Sequence, residues 1–178
     1  ENKVFLNNVI DIINKCEKPI IYLGQGCNND YKLLREFAIK ANIPVTSTIH
    51  ACGTFDDDHS LSLRWCGMHG YAAANYAIQE SDCIIALGSR FDDRTTGLIE
   101  KYAPNAFDAY IKGNGGIIHV NLEKSEINKV IDTHYNFNTT CKDFLEKSID
   151  KIKFNERTEW IKRISSLKTN HRFEYNEH

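Results

Sequence analysis

The sequence lacks an excess of charge of one sign and lacks any long hydrophobic run. Its 22 basic and 24 acidic residues leave a formal net charge of −2, so the chain offers no electrostatic footprint for nucleic acid or for an anionic membrane. No apolar run approaches the roughly 20 residues that cross a bilayer. We therefore predict a soluble intracellular protein with no nucleic-acid partner and no membrane partner.

Paired cysteines are also missing. No C-x-x-C motif is present, which argues against a structural zinc site or dithiol redox chemistry. Cys66 and His69 have C-x-x-H spacing, but no second pair accompanies them, so no metal site is predicted. We expect the six cysteines to be reduced and mostly buried in the core: Cys16, Cys27, Cys52, Cys66, Cys83 and Cys141.

Signatures of a complete catalytic apparatus are absent as well. There is no G-x-S-x-G elbow, the histidines are scattered, and no carboxylate pair is placed for acid–base work. His119 lies within an apolar run and is predicted to be a core histidine. No catalytic residue is predicted, and the chain is expected to bind a ligand.

What the sequence does contain is an alternation of helical and continuously apolar segments. Apolar strands that do not alternate with polar residues are buried on both faces, which is typical of a parallel sheet covered by helices. The fold class is therefore α/β, a Rossmann-like doubly wound parallel sheet flanked by helices. Strands are predicted at 20–23, 43–47, 83–87, 117–121 and 135–137, and helices at 4–13, 33–41, 71–79, 125–131 and from 141 onward; 53–70 is predicted to be a loop.

In such sheets the ligand binds beyond the carboxyl ends of the strands. Gly24 and Gly26 follow the first strand, and glycines there favour close approach of a pyrophosphate. The third glycine of G-x-G-x-x-G is replaced by Asn29, so a plain tight turn explains the pattern about as well.

A charged segment follows the strand at 83–87. Gly88 admits a ligand close to the backbone, and Arg90 can donate two parallel hydrogen bonds to a phosphate. Asp92, Asp93 and Arg94 form either an exposed turn with weak local ion pairs or a mutually paired network around a polar ligand. The density of charge beside a buried strand favours the second reading and predicts an anionic cofactor.

Three motifs resemble one known family when taken together. Residues 67–70 read G-M-H-G, residues 88–97 read G-S-R-F-D-D-R-T-T-G, and residues 115–119 read G-G-I-I-H. This combination is similar to the central domain of the acetohydroxyacid (acetolactate) synthase large subunit, a thiamine-diphosphate-dependent enzyme. The likeness extends over about residues 18–131.

The resemblance implies a role within a larger enzyme. Residues 1–153 would form the central FAD-binding domain with a sheet of about six strands, and 154–178 would be a helical linker towards a C-terminal catalytic domain. The parent would condense pyruvate with pyruvate or 2-oxobutanoate, with decarboxylation, in branched-chain amino-acid biosynthesis. Thiamine diphosphate and magnesium would be held by other domains, since no G-D-G motif occurs here, and this domain alone would be inactive. The parent would be a homodimer or homotetramer, with a regulatory subunit as a further expected partner.

The family's flavin contacts carry over to sixteen positions. The resemblance implies that these residues surround the ribityl and phosphate groups, the flavin ring and the diphosphate, and that the last two lie at the adenosine end. In chain order they are Gly24, Gln25, Gly26, Thr48, Ile49, Gly67, Met68, His69, Gly88, Ser89, Arg90, Asp92, Arg94, Thr95, Asn121 and Leu122. Met68, Asp93 and Arg94 would also border the channel in which the family's herbicides lodge.

This sequence departs from the family at three places. Asn121 stands where an acidic residue accepts hydrogen bonds from a ribose, Thr140 falls in the segment aligned with a second acidic position, and His50 replaces a glutamine. These departures leave two alternatives open: another thiamine-diphosphate-dependent 2-oxo acid decarboxylase or carboligase, and a non-catalytic nucleotide-binding module. Because the sequence begins at Glu1, we expect it to be part of a longer chain.

Overall fold

The computed structural model describes residues 3–172 as a six-stranded parallel sheet covered by helices on both faces. The strand order is β3-β2-β1-β4-β5-β6, which confirms the predicted doubly wound α/β fold. The strands are β1 (Pro19–Leu23), β2 (Val45–Ser47), β3 (Ser62–Trp65), β4 (Cys83–Leu87), β5 (Gly116–Val120) and β6 (Tyr135–Phe137). The helices are α1 (Lys3–Lys15), α2 (Tyr31–Ala41), α3 (Ala72–Glu80), α4 (Asp93–Thr96), α5 (Pro104–Ile111), α6 (Cys141–Ser148) and α7 (Thr158–Asn170).

The three central strands are buried along their whole length. All five residues of β1, β4 and β5 are buried, and β4 pairs in register with both neighbours, Ile85 lying opposite Ile21 and Ile118. Side chains alternate between the faces of a sheet, so each strand feeds two separate cores. One core packs α1, α2 and α6 on the sheet, and the other packs α3, α5 and α7.

Three elements were not predicted: strand β3, helix α5 and the short helix α4 within the charged segment. Strand β3 lies inside the segment expected to be a loop, and its sequence S-L-R-W has only one aliphatic residue, because the strand is at the edge of the sheet. Helix α5 begins at Pro104, whose fixed φ suits the first helical turn. It faces the sheet with Ala106 and Ala109, and such small residues make a weak apolar pattern.

Two predicted helical segments are wrong in detail. Residues 125–131 contain only a single 3₁₀ turn at Lys124–Glu126, and Asn128 has φ of 57°, which a right-handed helix does not allow. The helix expected from residue 141 onward is broken between α6 and α7. The break ends at Arg157, which has φ of 43° and directly precedes α7.

Three buried or half-buried polar side chains at the amino ends of the strands, which we call the amino edge, are hydrogen-bonded to backbone groups. The guanidinium of Arg157 donates to the carbonyls of Ile13, Cys16 and Ala41 at 2.7–2.9 Å. The carboxylate of Asp82 accepts two backbone N–H groups at 2.9 Å. The indole of Trp160 in α7 donates to the carbonyl that opens β1 at 2.8 Å. This edge ties α7 and the ends of α1 and α2 to the sheet.

The cysteines behave largely as predicted. All six lie among the described residues and all are free; five are buried and Cys52 is exposed.

Candidate functional site

The loops that leave β1 and β4 pack directly on each other. Gly24 donates its N–H to the carbonyl of Leu87 at 2.9 Å, and Gly26 donates to the carbonyl of Gly88 at 3.2 Å. A Cβ on Gly24 would lie 2.2 Å from the carbonyl oxygen of Gly88. The space that a side chain of residue 24 would take is filled by the neighbouring loop, so the packing of the two loops by itself requires glycine there. These glycines therefore hold together the loops at the carboxyl ends of the strands, which we call the carboxyl edge.

The turn at 67–70 and the charged segment form one unit. Met68 donates its N–H to the carbonyl of Arg94 at 2.9 Å. Asn75 holds the turn from α3: its Oδ1 accepts the N–H of Gly67 at 2.8 Å and its Nδ2 donates to the Gly67 carbonyl at 2.9 Å. Gly67 has φ of 105°, a conformation that strongly favours glycine. The two sequence motifs thus meet at the same edge.

The acidic residues of the charged segment bind backbone and hydroxyl groups. Asp92 is the N-cap of α4, accepting the N–H of Thr95 at 3.0 Å and its hydroxyl at 2.9 Å, and Asp93 accepts the N–H of Arg94 at 3.1 Å. The guanidinium groups of Arg90 and Arg94 are exposed and make no ion pair within residues 3–172. The predicted mutual pairing of these charges is therefore wrong, because capping of the short helix takes the carboxylates.

The remaining predicted residues near this edge are mostly exposed. Thr48 extends β2, donating its N–H to the last carbonyl of β1 at 2.7 Å. Gln25, Ile49, Met68 and His69 all present their side chains to solvent. Apolar side chains such as Met68, which is 72% exposed, would make an apolar wall for a ligand or a neighbouring domain.

Both polar atoms of the Asn121 side chain, which follows β5, make hydrogen bonds to backbone groups. Its Nδ2 donates to the carbonyl of Ser89 at 3.0 Å, and its Oδ1 accepts the N–H of Glu123 at 2.9 Å. The same Ser89 carbonyl lies 2.8 Å from Nε2 of His119. An ionised carboxylate could not donate to a carbonyl, so the amide at this position links the ends of β4 and β5. Leu122 beside it is exposed.

Beneath the charged segment lies a cluster of buried polar side chains. The hydroxyls of Tyr22, Ser89 and Tyr102 and the Nδ1 of His119 have no hydrogen-bond partner among the described residues. The ring of Phe91 packs against Tyr22, Tyr102 and His119, with centroids 5.3, 6.1 and 5.1 Å away. Buried polar groups are normally paired, so four unpaired ones at one edge distinguish this region from the rest of the core.

Burial keeps this cluster uncharged. It raises the pKa of the Tyr22 and Tyr102 hydroxyls well above their usual range and lowers the pKa of His119. It also raises the pKa of the nearby Cys66 thiol to about 12. Sequence reasoning missed the two tyrosines; the only available signal was a tyrosine within the otherwise aliphatic run of β1.

A hollow of about 420 Å³ opens beside the turn at 67–70. It lies between α3 and residues 94–102, and Met68, Arg94, Leu98 and Tyr102 are among its lining residues. It combines an apolar wall with an unpaired guanidinium, a combination typical of ligand sites. The carboxyl edge can therefore bind and orient an anionic ligand.

No group of three or more histidine, cysteine, aspartate or glutamate side chains within residues 3–172 is arranged to hold a metal ion. Within that range no helix is both long and apolar enough to span a membrane.

Comparison with known proteins places this geometry in context. The family described as thiamine pyrophosphate enzyme, central domain, matches residues 6–148. The chain is 42% identical over 176 residues to the mitochondrial acetolactate synthase catalytic subunit of Saccharomyces cerevisiae, covering 97% of this chain and 26% of that protein. It is 37% identical over 156 residues to the acetolactate synthase isozyme 1 large subunit of Escherichia coli, covering 88% of this chain and 26% of that protein.

A third relative is acetolactate synthase 1, chloroplastic, of Nicotiana tabacum, 33% identical over 177 residues, covering 96% of this chain and 25% of that protein. The chain thus spans about a quarter of the length of the curated relatives that it matches. The family match covers most of the chain, and the predicted resemblance to acetolactate synthases is confirmed. The chain belongs to the thiamine pyrophosphate enzyme central-domain family.

Proposed function

We propose that this chain is the central, FAD-holding domain of an acetolactate synthase. The observation that carries the proposal is the meeting of two sequence motifs at the carboxyl edge, where the unpaired guanidinium groups of Arg90 and Arg94 are exposed. The parent enzyme would condense pyruvate with pyruvate or 2-oxobutanoate, with decarboxylation, in branched-chain amino-acid biosynthesis. Similarity to acetolactate synthases from three kingdoms supports this assignment.

The chain would not act alone. Thiamine diphosphate and magnesium would be held by other domains of the parent, which we propose to be a homodimer or homotetramer with a regulatory subunit. Residues 1–153 would form the FAD-holding unit, and 154–178, which include α7, would lead to the C-terminal catalytic domain. We expect the 178-residue chain by itself to be inactive.

The residues present fit the diphosphate of a flavin nucleotide. Arg90 and Arg94 are exposed and form no ion pair with another residue of 3–172. Charge-assisted hydrogen bonds from guanidinium to phosphate are among the strongest available to a protein. The Ser89 hydroxyl, a further unpaired donor, lies just before Arg90. Bound FAD would support the architecture of the active site, since the net condensation involves no redox change. The role of these side chains is to bind and orient it.

The adenosine end fits less closely. Asn121 already donates to one backbone group and accepts from another, so it offers a ribose at most a second, uncharged acceptor site. The hydroxyl of Thr140 caps α6 by accepting the N–H of Asp143 at 3.0 Å. We therefore propose that affinity for FAD resides chiefly in the diphosphate contacts, and that the adenosine contributes less than it would with carboxylates at these positions.

The proposal is tested first by titration calorimetry of the chain with FAD, NAD and ADP. We expect FAD to bind most tightly. We also expect Arg90→Ala to weaken FAD binding about tenfold or more, the effect of losing a charged hydrogen bond. Lys15→Ala, an exposed residue in the last turn of α1 next to the amino edge, is the matched control and should bind as the wild type does. Unchanged affinity in Arg90→Ala would remove Arg90 from the diphosphate site.

The departures at Asn121 and Thr140 leave two alternative functions open, a non-catalytic nucleotide-binding module and another decarboxylase or carboligase of the family. A clear preference for NAD would favour a non-catalytic nucleotide-binding module. Product analysis of the full-length parent, supplied with pyruvate, thiamine diphosphate, magnesium and FAD, separates an acetolactate synthase from another decarboxylase or carboligase of the family. A folded parent that binds its cofactors and forms no acetolactate would reject the proposed reaction.

A further inference from the structure

A second cavity lies on the outer side of the edge strand β3. It has a volume of about 350 Å³ and opens between β3, the start of α3 and the end of α7. We call it the basic groove; it is lined by Ser62, Leu63, Arg64, Tyr71, Ala73, Lys168, His171 and Arg172. Three of these side chains, those of Arg64, Lys168 and Arg172, are strongly basic, and none of the lining residues is acidic.

Arg64 is held in place at the mouth of the groove. Its guanidinium donates from Nη1 to the hydroxyl of Tyr71 at 2.9 Å and lies 5.3 Å from the centroid of that ring. Its backbone has φ of 60°, at a bulge where the pairing of β2 and β3 changes register. Non-glycine residues adopt this conformation rarely and at a cost. Arg64 therefore projects from a fixed position, with donors of its guanidinium still available.

Lys168 reaches the groove from the opposite wall. Its Nζ donates to the carbonyl of Ser60 at 3.2 Å, and the side chain is half-buried. Burial lowers the pKa of Lys168, and the charge of Arg64 lowers it further. Both cations line the same groove, so each lies in the repulsive field of the other.

No carboxylate relieves that repulsion at close range. Among residues 3–172, no acidic side chain forms an ion pair with Arg64, Lys168 or Arg172. Asp57 and Asp58 act on Arg64 only as more distant charges. The half-buried ammonium of Lys168 therefore shares the groove with like charges and has no close counter-charge, an arrangement that favours a bound anion.

We propose that the basic groove is a binding site for a small polyvalent oxyanion of the phosphate class, such as pyrophosphate. An anion between Arg64 and Lys168 would offset their repulsion, and the planar guanidinium matches tetrahedral phosphate oxygens well. His171 extends the lining next to Arg172, its ring stacked on Tyr76 with centroids 5.0 Å apart. The groove and the hollow beside the turn at 67–70 have different lining residues, and the proposal does not depend on the proposed flavin role.

The test is a titration of the ¹⁵N-labelled 178-residue chain with pyrophosphate at low ionic strength, followed by NMR. We expect saturable shifts at residues 62–64, 71–73 and 167–172. Shifts confined to 24–26 and 88–95 would overturn the proposal, because pyrophosphate would then bind only at the carboxyl edge. Absence of any saturable shift would overturn it as well.

Two variants and one control sharpen the result. Arg64→Gln and Lys168→Gln should each weaken the binding measured at these residues about tenfold or more. Lys162→Gln removes an exposed charge from the same helix α7 and should leave the affinity unchanged. Equal weakening in all three would show a general charge effect and reject the site. Because the wild-type mapping needs no variant, the proposal stays testable even if one variant fails to fold.

A parallel titration with citrate identifies the preferred anion. Binding of pyrophosphate at least about tenfold tighter than citrate supports a phosphate-class ligand. Equal or tighter binding of citrate at the same residues would overturn the phosphate assignment in favour of a carboxylate site.

Discussion

The two edges of the sheet differ in whether their buried polar groups are hydrogen-bonded. At the amino edge, Arg157, Asp82 and Trp160 are buried or half-buried, and each is satisfied by hydrogen bonds to backbone. At the carboxyl edge, the hydroxyls of Tyr22 and Tyr102 are buried without a partner in the described part of the chain.

This difference indicates that the amino edge contributes mainly to stability and the carboxyl edge mainly to binding. A satisfied buried polar network makes a structure rigid, whereas unpaired donors and acceptors are costly and persist mainly where function requires them. The amino edge fastens α1, α2 and α7 to the sheet, and the carboxyl edge keeps polar groups and two guanidiniums available. Ligand sites of doubly wound sheets lie at the carboxyl edge for topological reasons, and here the hydrogen-bond inventory points to the same place.

The largest effect is expected at the amino edge. Arg157→Met keeps the length of the side chain but removes three donors, leaving the carbonyls of Ile13, Cys16 and Ala41 without them. Since hydrogen bonds from a charged donor contribute most, we expect a loss of about 3–5 kcal/mol in the free energy of unfolding. Urea unfolding followed by circular dichroism measures it.

Arg163→Met on the same helix is the control for this prediction. Arg163 forms an exposed ion pair with Glu80, and such pairs contribute little, so its unfolding midpoint should stay close to that of the wild type. Similar midpoints for the two variants would mean that the Arg157 network does not stabilise the amino edge.

A smaller loss of stability is expected where the carboxyl-edge loops touch. Gly24→Ala places a methyl group 2.2 Å from a backbone oxygen of Gly88, and overpacking against backbone costs about 2–3 kcal/mol. Gly26→Ala is the graded comparison, because its nearest contact would be 3.0 Å, and it should cost clearly less. Equal unfolding free energies for the two variants would show that the loops move apart easily.

The sequence predicted the central architecture because the signal there is strong. The continuously apolar β1, β4 and β5 could be read as buried parallel strands from their residues alone. The edge strand β3 and the alanine-faced helix α5 could not, because an exposed edge needs few aliphatic residues and small residues bury little area.

The sequence predicted where in the fold the candidate site lies, but it did not predict most of the hydrogen bonds within it. The motifs at 67–70 and 88–97 do meet at one edge, as expected. What the sequence could not show is that Asp92 and Asp93 bind backbone groups while Arg90 forms no ion pair in the described part of the chain. Such partners depend on the local backbone geometry. The role of Asn121 as a donor to Ser89 was likewise hidden until β4 and β5 were seen side by side.

The smallest expected effect is a pH dependence that arises from His119. Its Nε2 faces the Ser89 carbonyl, so this nitrogen carries the proton, and Nδ1 is the unpaired acceptor. Burial lowers the pKa of His119 in the folded chain, whereas the unfolded chain binds that proton near pH 6.5. Between those two pKa values the unfolded state takes up more protons, so stability falls as the pH drops below about 6.5.

His119→Gln isolates this contribution, because an amide can still donate to the Ser89 carbonyl and does not titrate. Unfolding free energies at pH 7.5, 6.5 and 5.5 should fall less steeply for the variant than for the wild type. Other titrating groups, Asp82 among them, cancel in that difference. If the unfolding free energies of the two proteins fall in parallel with pH, protonation of His119 does not destabilise the folded chain. The carboxyl edge would then be more accessible to solvent than its four buried polar groups without partners in residues 3–172 indicate.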